Sequence, residues 1–274
     1  MALTFNSILD DIGVAPTEVR LLRHTPDRFH GRTLYALWRD GHPDFLTYQS
    51  TQERKTRARL DSPYWASFVV TPAKSVMFVG LFAITRVGSC PLGTIDPLSK
   101  KDVTGEDLYT QALVQASKEY IGRVFIDWGT SAITWAQKAD NQPKAILEIS
   151  RAFQEEVFPG YSRFIANLSA IETLPGGWLS ALQAARGIYL LTCPVTREQY
   201  VGSATGADGF LGRWMGYVRD SHGGNIALKS RDPSDYQVSI LEVSGSAASP
   251  EEILAAEGLW KRKLQTLDMG LNRN

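Results

Sequence analysis

Gly187 to Gly202, GIYLLTCPVTREQYVG, constrain this chain more than any other stretch. A short apolar run opens on Gly-Ile-Tyr, a polar loop over Pro194 to Glu198 reverses the chain, and a second run returns as Tyr200-Val201-Gly202. Two alternating apolar runs joined by a polar, proline-containing loop predict a β-hairpin. Each strand carries one tyrosine beside a glycine, at the same end of the pattern. The following segments supply partners. Ser203 to Gly209 is a Gly/Ala/Ser loop before a predicted helix over Phe210 to Arg219, on which Arg213 and Tyr217 are four apart and share a face. Tyr236 to Val243 alternates as YQVSILEV, a third strand that completes a small antiparallel sheet.

Ser249-Pro250-Glu251-Glu252 marks one more helix start, with a capping serine, proline in the first turn and a glutamate placed to close a capping box. Ile253, Trp260, Leu264 and Leu267 form its apolar stripe, and Glu257 falls inside that stripe. A carboxylate on a face that buries against a sheet is costly unless something positive meets it. An ion pair with Arg213, a frayed stripe or a bound cation would each answer that cost.

The hairpin, Arg213-Trp214 with Tyr217, Glu257-Gly258-Leu259-Trp260 and the late Gly270-Leu271-Asn272 together resemble the GIY-YIG nuclease superfamily, the second motif reading Tyr-Val-Gly. The resemblance covers residues 185–274, about the last third of the chain. It implies an α+β module, a three-stranded antiparallel sheet flanked by helices, that hydrolyses phosphodiester bonds. It also implies that Glu257 anchors a divalent cation, Mg²⁺ or Mn²⁺, leaving other coordination positions for water and phosphate. Arg213 would stabilise the charge growing on the phosphate oxygens. Tyr189 would act as general base and Tyr200 would position the phosphate, with these two roles exchangeable. A phenol ionises near pH 10, so Arg213, the metal and Tyr217 would have to favour the phenolate. His222 or Asn225 would assist the base, although a solvent-exposed loop histidine satisfies the sequence equally. Asn272 matches an asparagine that follows the final strand.

At 274 residues the chain is long for one compact domain, so two are expected. Pro175-Gly176-Gly177 breaks the strand pattern and sets a boundary between residues 1–174 and 185–274, with 175–184 as a helical connector. The first domain is predicted to be β-rich and barrel-like. A short helix over residues 4–12 stops at Gly13. Strands are expected over Val19–Arg23, Thr33–Trp38, Phe45–Gln49, Trp65–Thr71, Ser75–Arg86, Arg123–Trp128, Ala145–Ile149 and Arg163–Ile171, with one helix over Gly105–Tyr120. The run WASFVVTPAKSVMFVGLFAITR is similar to the core of PUA-like domains such as EVE modules, which read modified bases. Trp38, Tyr48 and Trp135 could stack such a base or simply fill a core.

Net charge is zero, which argues against sequence-independent attraction to phosphate. Positive charge is local. From Val19 to Arg59 nine Lys/Arg face four acids, 9 − 4 = +5, and Arg54, Lys55, Arg57 and Arg59 are its densest part. These four are candidate nucleic-acid contacts, or an ordinary solvated surface. With 43% apolar and 21% charged residues, and no apolar run near the ~20 residues of a spanning helix, no membrane partner is expected. MALTFNSILDDIG lacks a secretory pattern, so a cytoplasmic location is expected. Cys90 and Cys193 are too few for a disulfide framework or a zinc site and read as buried thiols. The sum is a metal-dependent DNA endonuclease of the restriction or phage-defence kind, whose first domain chooses where the second cuts. The alternatives are a nucleic-acid-binding protein without turnover and a structured-RNA nuclease. Cutting both strands with one site per chain calls for a homodimer or two successive nicks.

Overall fold

A computed structural model describes residues 3–25, 33–129, 134–220 and 235–272. The chain divides into two compact units, Met1–Glu155 and Glu156–Asn274. Both mix helices with strands.

In the first unit, helix α1 (Phe5–Asp11) buries Phe5, Ile8 and Leu9 on one face and gives way to Gly13, whose φ of +74° suits a residue without Cβ. There follow β1 (Val19–His24), α2 (Leu34–Arg39), α3 (Asp44–Ser50), β2 (Thr51–Gln52), α4 (Arg57–Leu60), β3 (Tyr64–Val70) and β4 (Val76–Ser89). The unit closes with β5 (Asp107–Leu113), β6 (Val124–Ile126), β7 (Ala136–Lys138) and β8 (Ile146–Ile149). These strands make one eight-stranded sheet, ordered β2-β5-β4-β3-β1-β7, with β6 joined to β4 and to β8. β1 and β3 run parallel, and the other pairs are antiparallel.

Strand β4 explains the curl. Along one edge it pairs with β3 from Val76 to Ala83, while the other edge is shared by β6 at Val76 and Met77 and by β5 from Phe82 to Ser89. One strand serves three neighbours because the sheet twists and its register shifts opposite Ser67/Phe68. The expected curled sheet is present.

Three local expectations fail. Thr33–Trp38 and Phe45–Gln49, read as strands, are the helices α2 and α3. Thr33 is the cap of the first, its side chain accepting from Ala36 N at 3.1 Å. Gly105–Tyr120, read as a helix, is strand β5 followed by a 3₁₀ stretch, Gln115–Tyr120. Within β5 the buried positions are Asp107 and Tyr109, two apart, which is strand periodicity with an acid in it. That acid is fully buried and accepts from Arg57 and Arg86.

In the second unit come β9 (Ile165–Asn167), α5 (Gly176–Ala184), β10 (Gly187–Thr192), β11 (Gln199–Ala204), α6 (Gly209–Asp220), β12 (Gln237–Val243) and α7 (Pro250–Lys263). The hairpin and third strand form as expected, and β9 adds a fourth: the antiparallel order is β11-β10-β12-β9. Residues 156–174, expected in the first domain, therefore belong to the second unit, because β9 hydrogen-bonds to β12. The 175–184 segment is α5 itself. It is part of the core through the buried Trp178 and Leu182.

Strand alternation sorts the side chains onto two faces. Tyr189, Leu191, Tyr200 and Val238 join Trp178, Phe210 and Trp214 of α5 and α6, whereas Ile188 and Val201 join Ile253 of α7. The predicted capping box at Ser249 and Glu252 is complete. Leu267 falls outside the expected stripe, at 42% exposure, and Ala256 packs in the cluster with Trp260 and Leu264. Among the described residues no helix is long and apolar enough to cross a membrane.

β11 is an edge strand, and the end of the chain seals it. Leu271 N donates to Gln199 O, and the buried Asn272 side chain makes two 2.9 Å bonds to Val201, accepting from its N–H and donating to its C=O. An amide thus imitates a neighbouring strand. Asn272→Ala leaves a buried peptide group unsatisfied and is expected to cost about 2–4 kcal/mol, read by urea denaturation. An unchanged midpoint would mean that the contact contributes nothing.

Candidate functional site

Two glycines determine how closely the hairpin packs. Gly187 sits at φ +150°, and an added Cβ there would lie 2.1 Å from the Glu242 carbonyl oxygen, beside a register shift between β10 and β12. An added Cβ at Gly202 would lie 2.5 Å from Tyr189 Oη and 2.9 Å from Tyr200 Cε1. Gly202 is the cross-strand partner of Tyr189, so the phenol ring lies directly over its backbone. The tyrosine-glycine pairing is in the first place a packing requirement.

That packing presents a cluster. The Tyr189 hydroxyl is 2.8 Å from the Tyr217 hydroxyl and accepts from Arg213 Nε at 3.2 Å. The guanidinium also stands over the Tyr217 ring, 5.2 Å from its centroid. Tyr189 and Tyr217 are buried, Arg213 half-buried. Burial pushes both phenols well above the ordinary tyrosine range, so each keeps its proton at neutral pH. For Arg213 burial acts to lower the pKa, but the neighbouring Tyr189 and Tyr217 raise it further, and the cation persists. Tyr200 packs in the same cluster, and among the described residues its hydroxyl has no hydrogen-bond partner.

Glu257 lies with a different set. Its Oε2 accepts from Ser203 Oγ, and its Oε1 is 2.9 Å from Lys261 Nζ, with both charged side chains only 12% exposed. The charge that answers this carboxylate is thus Lys261, one helical turn on. Ser203 follows Gly202 on β11 and points to the opposite face of the sheet. Tyr189, Tyr200, Arg213 and Tyr217 therefore gather on the α6 face and Glu257 on the α7 face, the two sets adjoining at Gly202 and Ser203. Lys261 and Ser203 were missed in the sequence. The four-residue Glu-Lys spacing was the available signal.

The metal expectation rests on Glu257, and in this arrangement its carboxylate does not fit a divalent cation. Each oxygen already has a partner, and a cation bound there would meet the Lys261 ammonium at close range. Among the described residues no group of three or more His, Cys, Asp or Glu side chains could hold a metal ion. Asn272 is the strand clamp described above, and His222 and Asn225 lie outside the described residues.

The candidate contacts of the first unit divide as well. Arg57 is tied to buried Asp107 by two bonds of 2.5 and 2.6 Å, Lys55 pairs with Glu53 at 2.7 Å, and Arg54 donates to Ser89 Oγ at 3.0 Å. Arg59 is exposed. Trp38, partly buried, packs edge-on against the exposed Phe153 at 5.2 Å. Tyr48 and Trp135, by contrast, line the same cavity.

Comparison of the chain with protein-family models, with curated proteins and with solved structures gives no match.

Proposed function

We propose that the second unit is a phosphodiester-cleaving domain of the GIY-YIG kind that acts on DNA, and that the first unit selects the target. The observation that carries this is Arg213, held by the Tyr189 hydroxyl and the Tyr217 ring beside Tyr200. A guanidinium already fixed in place offers its planar fork to phosphate oxygens with little reorganisation, and it gains most where negative charge grows during attack.

All three tyrosines are buried, and in this reading their hydrogen bonds divide the roles. Tyr189, proton-bearing and locked between Arg213 and Tyr217, positions the arginine. Tyr200 is the phenol left to meet the attacking water or the phosphate, an exchange of the two roles that the family resemblance implies. A zero net charge suits a selective reader better than an indiscriminate degrader.

One observation favours a second reading, binding without turnover: the carboxylate expected to carry the metal is engaged by Lys261 and Ser203. Plasmid DNA and structured RNA incubated with Mg²⁺ or Mn²⁺, using wild type, Glu257→Ala, Tyr189→Phe and Tyr200→Phe, separate the two. Cleavage of DNA by the wild type is expected. Tyr189→Phe should lower kcat about 10–100-fold without moving the pH-rate profile, as befits a positioning residue, whereas Tyr200→Phe, which removes the phenol that meets the reacting groups, should lower it at least as far. If the wild type binds either substrate and cuts neither, binding without turnover takes its place.

A further inference from the structure

The first unit contains a cavity of about 530 Å³, inside the range of about 300–1,000 Å³ found for small-molecule sites. Tyr48 of α3, Trp135 just before β7 and His24 at the end of β1 line it. His24 is 5% exposed, its ring 6.0 Å from that of Tyr48.

The protonation of His24 follows from a chain of hydrogen bonds with a fixed direction. Leu46 O can only accept, so the Gln111 amide must turn its NH₂ to it, at 2.6 Å. Gln111 Oε1 then accepts from Gln49 Nε2 at 2.5 Å, which leaves Gln49 Oε1 to accept from Ser67 Oγ at 2.6 Å and from His24 Nε2 at 2.9 Å. The His24 proton is therefore on Nε2, and Nδ1 carries a bare lone pair. Among the described residues no hydrogen bond answers that lone pair. Burial holds the imidazole down at about 4, against a smaller opposing effect from Gln49, so it is neutral near pH 7.

The charges around the cavity indicate which part of a ligand enters. Among the described residues that line it, Arg23 and Lys101 are outnumbered by Glu53, Asp96, Asp102 and Glu106, 2 − 4 = −2. A phosphate is disfavoured by that lining; a neutral ring that donates N–H is not. We propose that this cavity receives a single unpaired nucleobase, stacked on Tyr48 or Trp135 and donating an N–H to His24 Nδ1, with the sugar-phosphate backbone kept outside.

The choice of a nucleobase rests on the nuclease reading; the cavity and its acceptor do not. The test uses the full chain and free nucleosides, adenosine, cytidine, guanosine and thymidine, titrated by calorimetry, and runs a cleavage assay in parallel. Saturable binding of at least one nucleoside is expected, unchanged in Arg213→Ala and weakened about tenfold or more in Tyr48→Ala or Trp135→Ala. His24→Phe should lose binding too, with circular dichroism checking that it folds; the aromatic variants keep the test decisive if it does not. Absence of saturation up to about 10 mM nucleoside, or binding untouched in both aromatic variants, overturns the proposal. Binding without cleavage would sink the nuclease reading alone. Cleavage without binding would sink the cavity reading alone.

Discussion

Arg213→Lys is expected to lower single-turnover cleavage by about three orders of magnitude while leaving the far-ultraviolet spectrum unchanged. Lysine keeps the charge but loses the fork. It cannot donate to Tyr189 as Nε does at 3.2 Å while presenting a second planar pair of donors to phosphate. An arginine that acts on transition-state charge is worth about 10³–10⁵ in rate in other phosphoryl transfers. Because Tyr189 and Tyr217 fix the side chain before substrate arrives, the loss should fall on kcat more than on KM. A lysine variant that cuts within a factor of a few of wild type would remove Arg213 from the chemistry.

Gly187→Ala should unfold the second unit. The methyl carbon would have to sit 2.1 Å from the Glu242 carbonyl oxygen and 3.0 Å from Val243 Cα, both backbone atoms, at a φ of +150° that L side chains rarely adopt. No rotamer relieves such a clash, so β10 would have to separate from β12, the central pairing of the sheet. A loss above about 4 kcal/mol is expected, read as disappearance of the cooperative denaturation transition. Gly216→Ala serves as the control, since an added Cβ there meets nothing within 4 Å. If Gly187→Ala melts like that control, the hairpin does not pack as described.

The second unit was legible because its signals are local. The alternation of β10, β11 and β12, the capping box at Ser249 and the spacing of Arg213 and Tyr217 each sit within a few residues of one another. The first unit was less legible for the opposite reason. Helices α2 and α3 are six and seven residues long, too short to display a helical period, and the aromatic residues Tyr35, Trp38, Phe45 and Tyr48 within them read as strand. Asp107 hid β5, since a buried acid makes sense only once Arg57 and Arg86 are seen to meet it from distant parts of the chain.

The candidate site divides along the same line. The tyrosines and the arginine were read from the hairpin and the helix that follows. That Glu257 faces Lys261 and Ser203 across the sheet depends on which way β11 turns its side chains, and this is settled by the packing of whole helices. His24 gave no signal at all, because its meaning comes from Gln49 and Gln111, far along the chain.

The fourth strand has a practical consequence for anyone who wishes to isolate the second unit. A fragment beginning at residue 185 discards Ile165–Asn167 and bares the flank of β12 at Gln237, Val238 and Ser239, an open template for adhesion between copies. Starting at Glu156 retains that strand together with Phe164 and Trp178, whose rings stack around Trp214 and Phe158. The earlier cut is the one that keeps a self-contained hydrophobic interior.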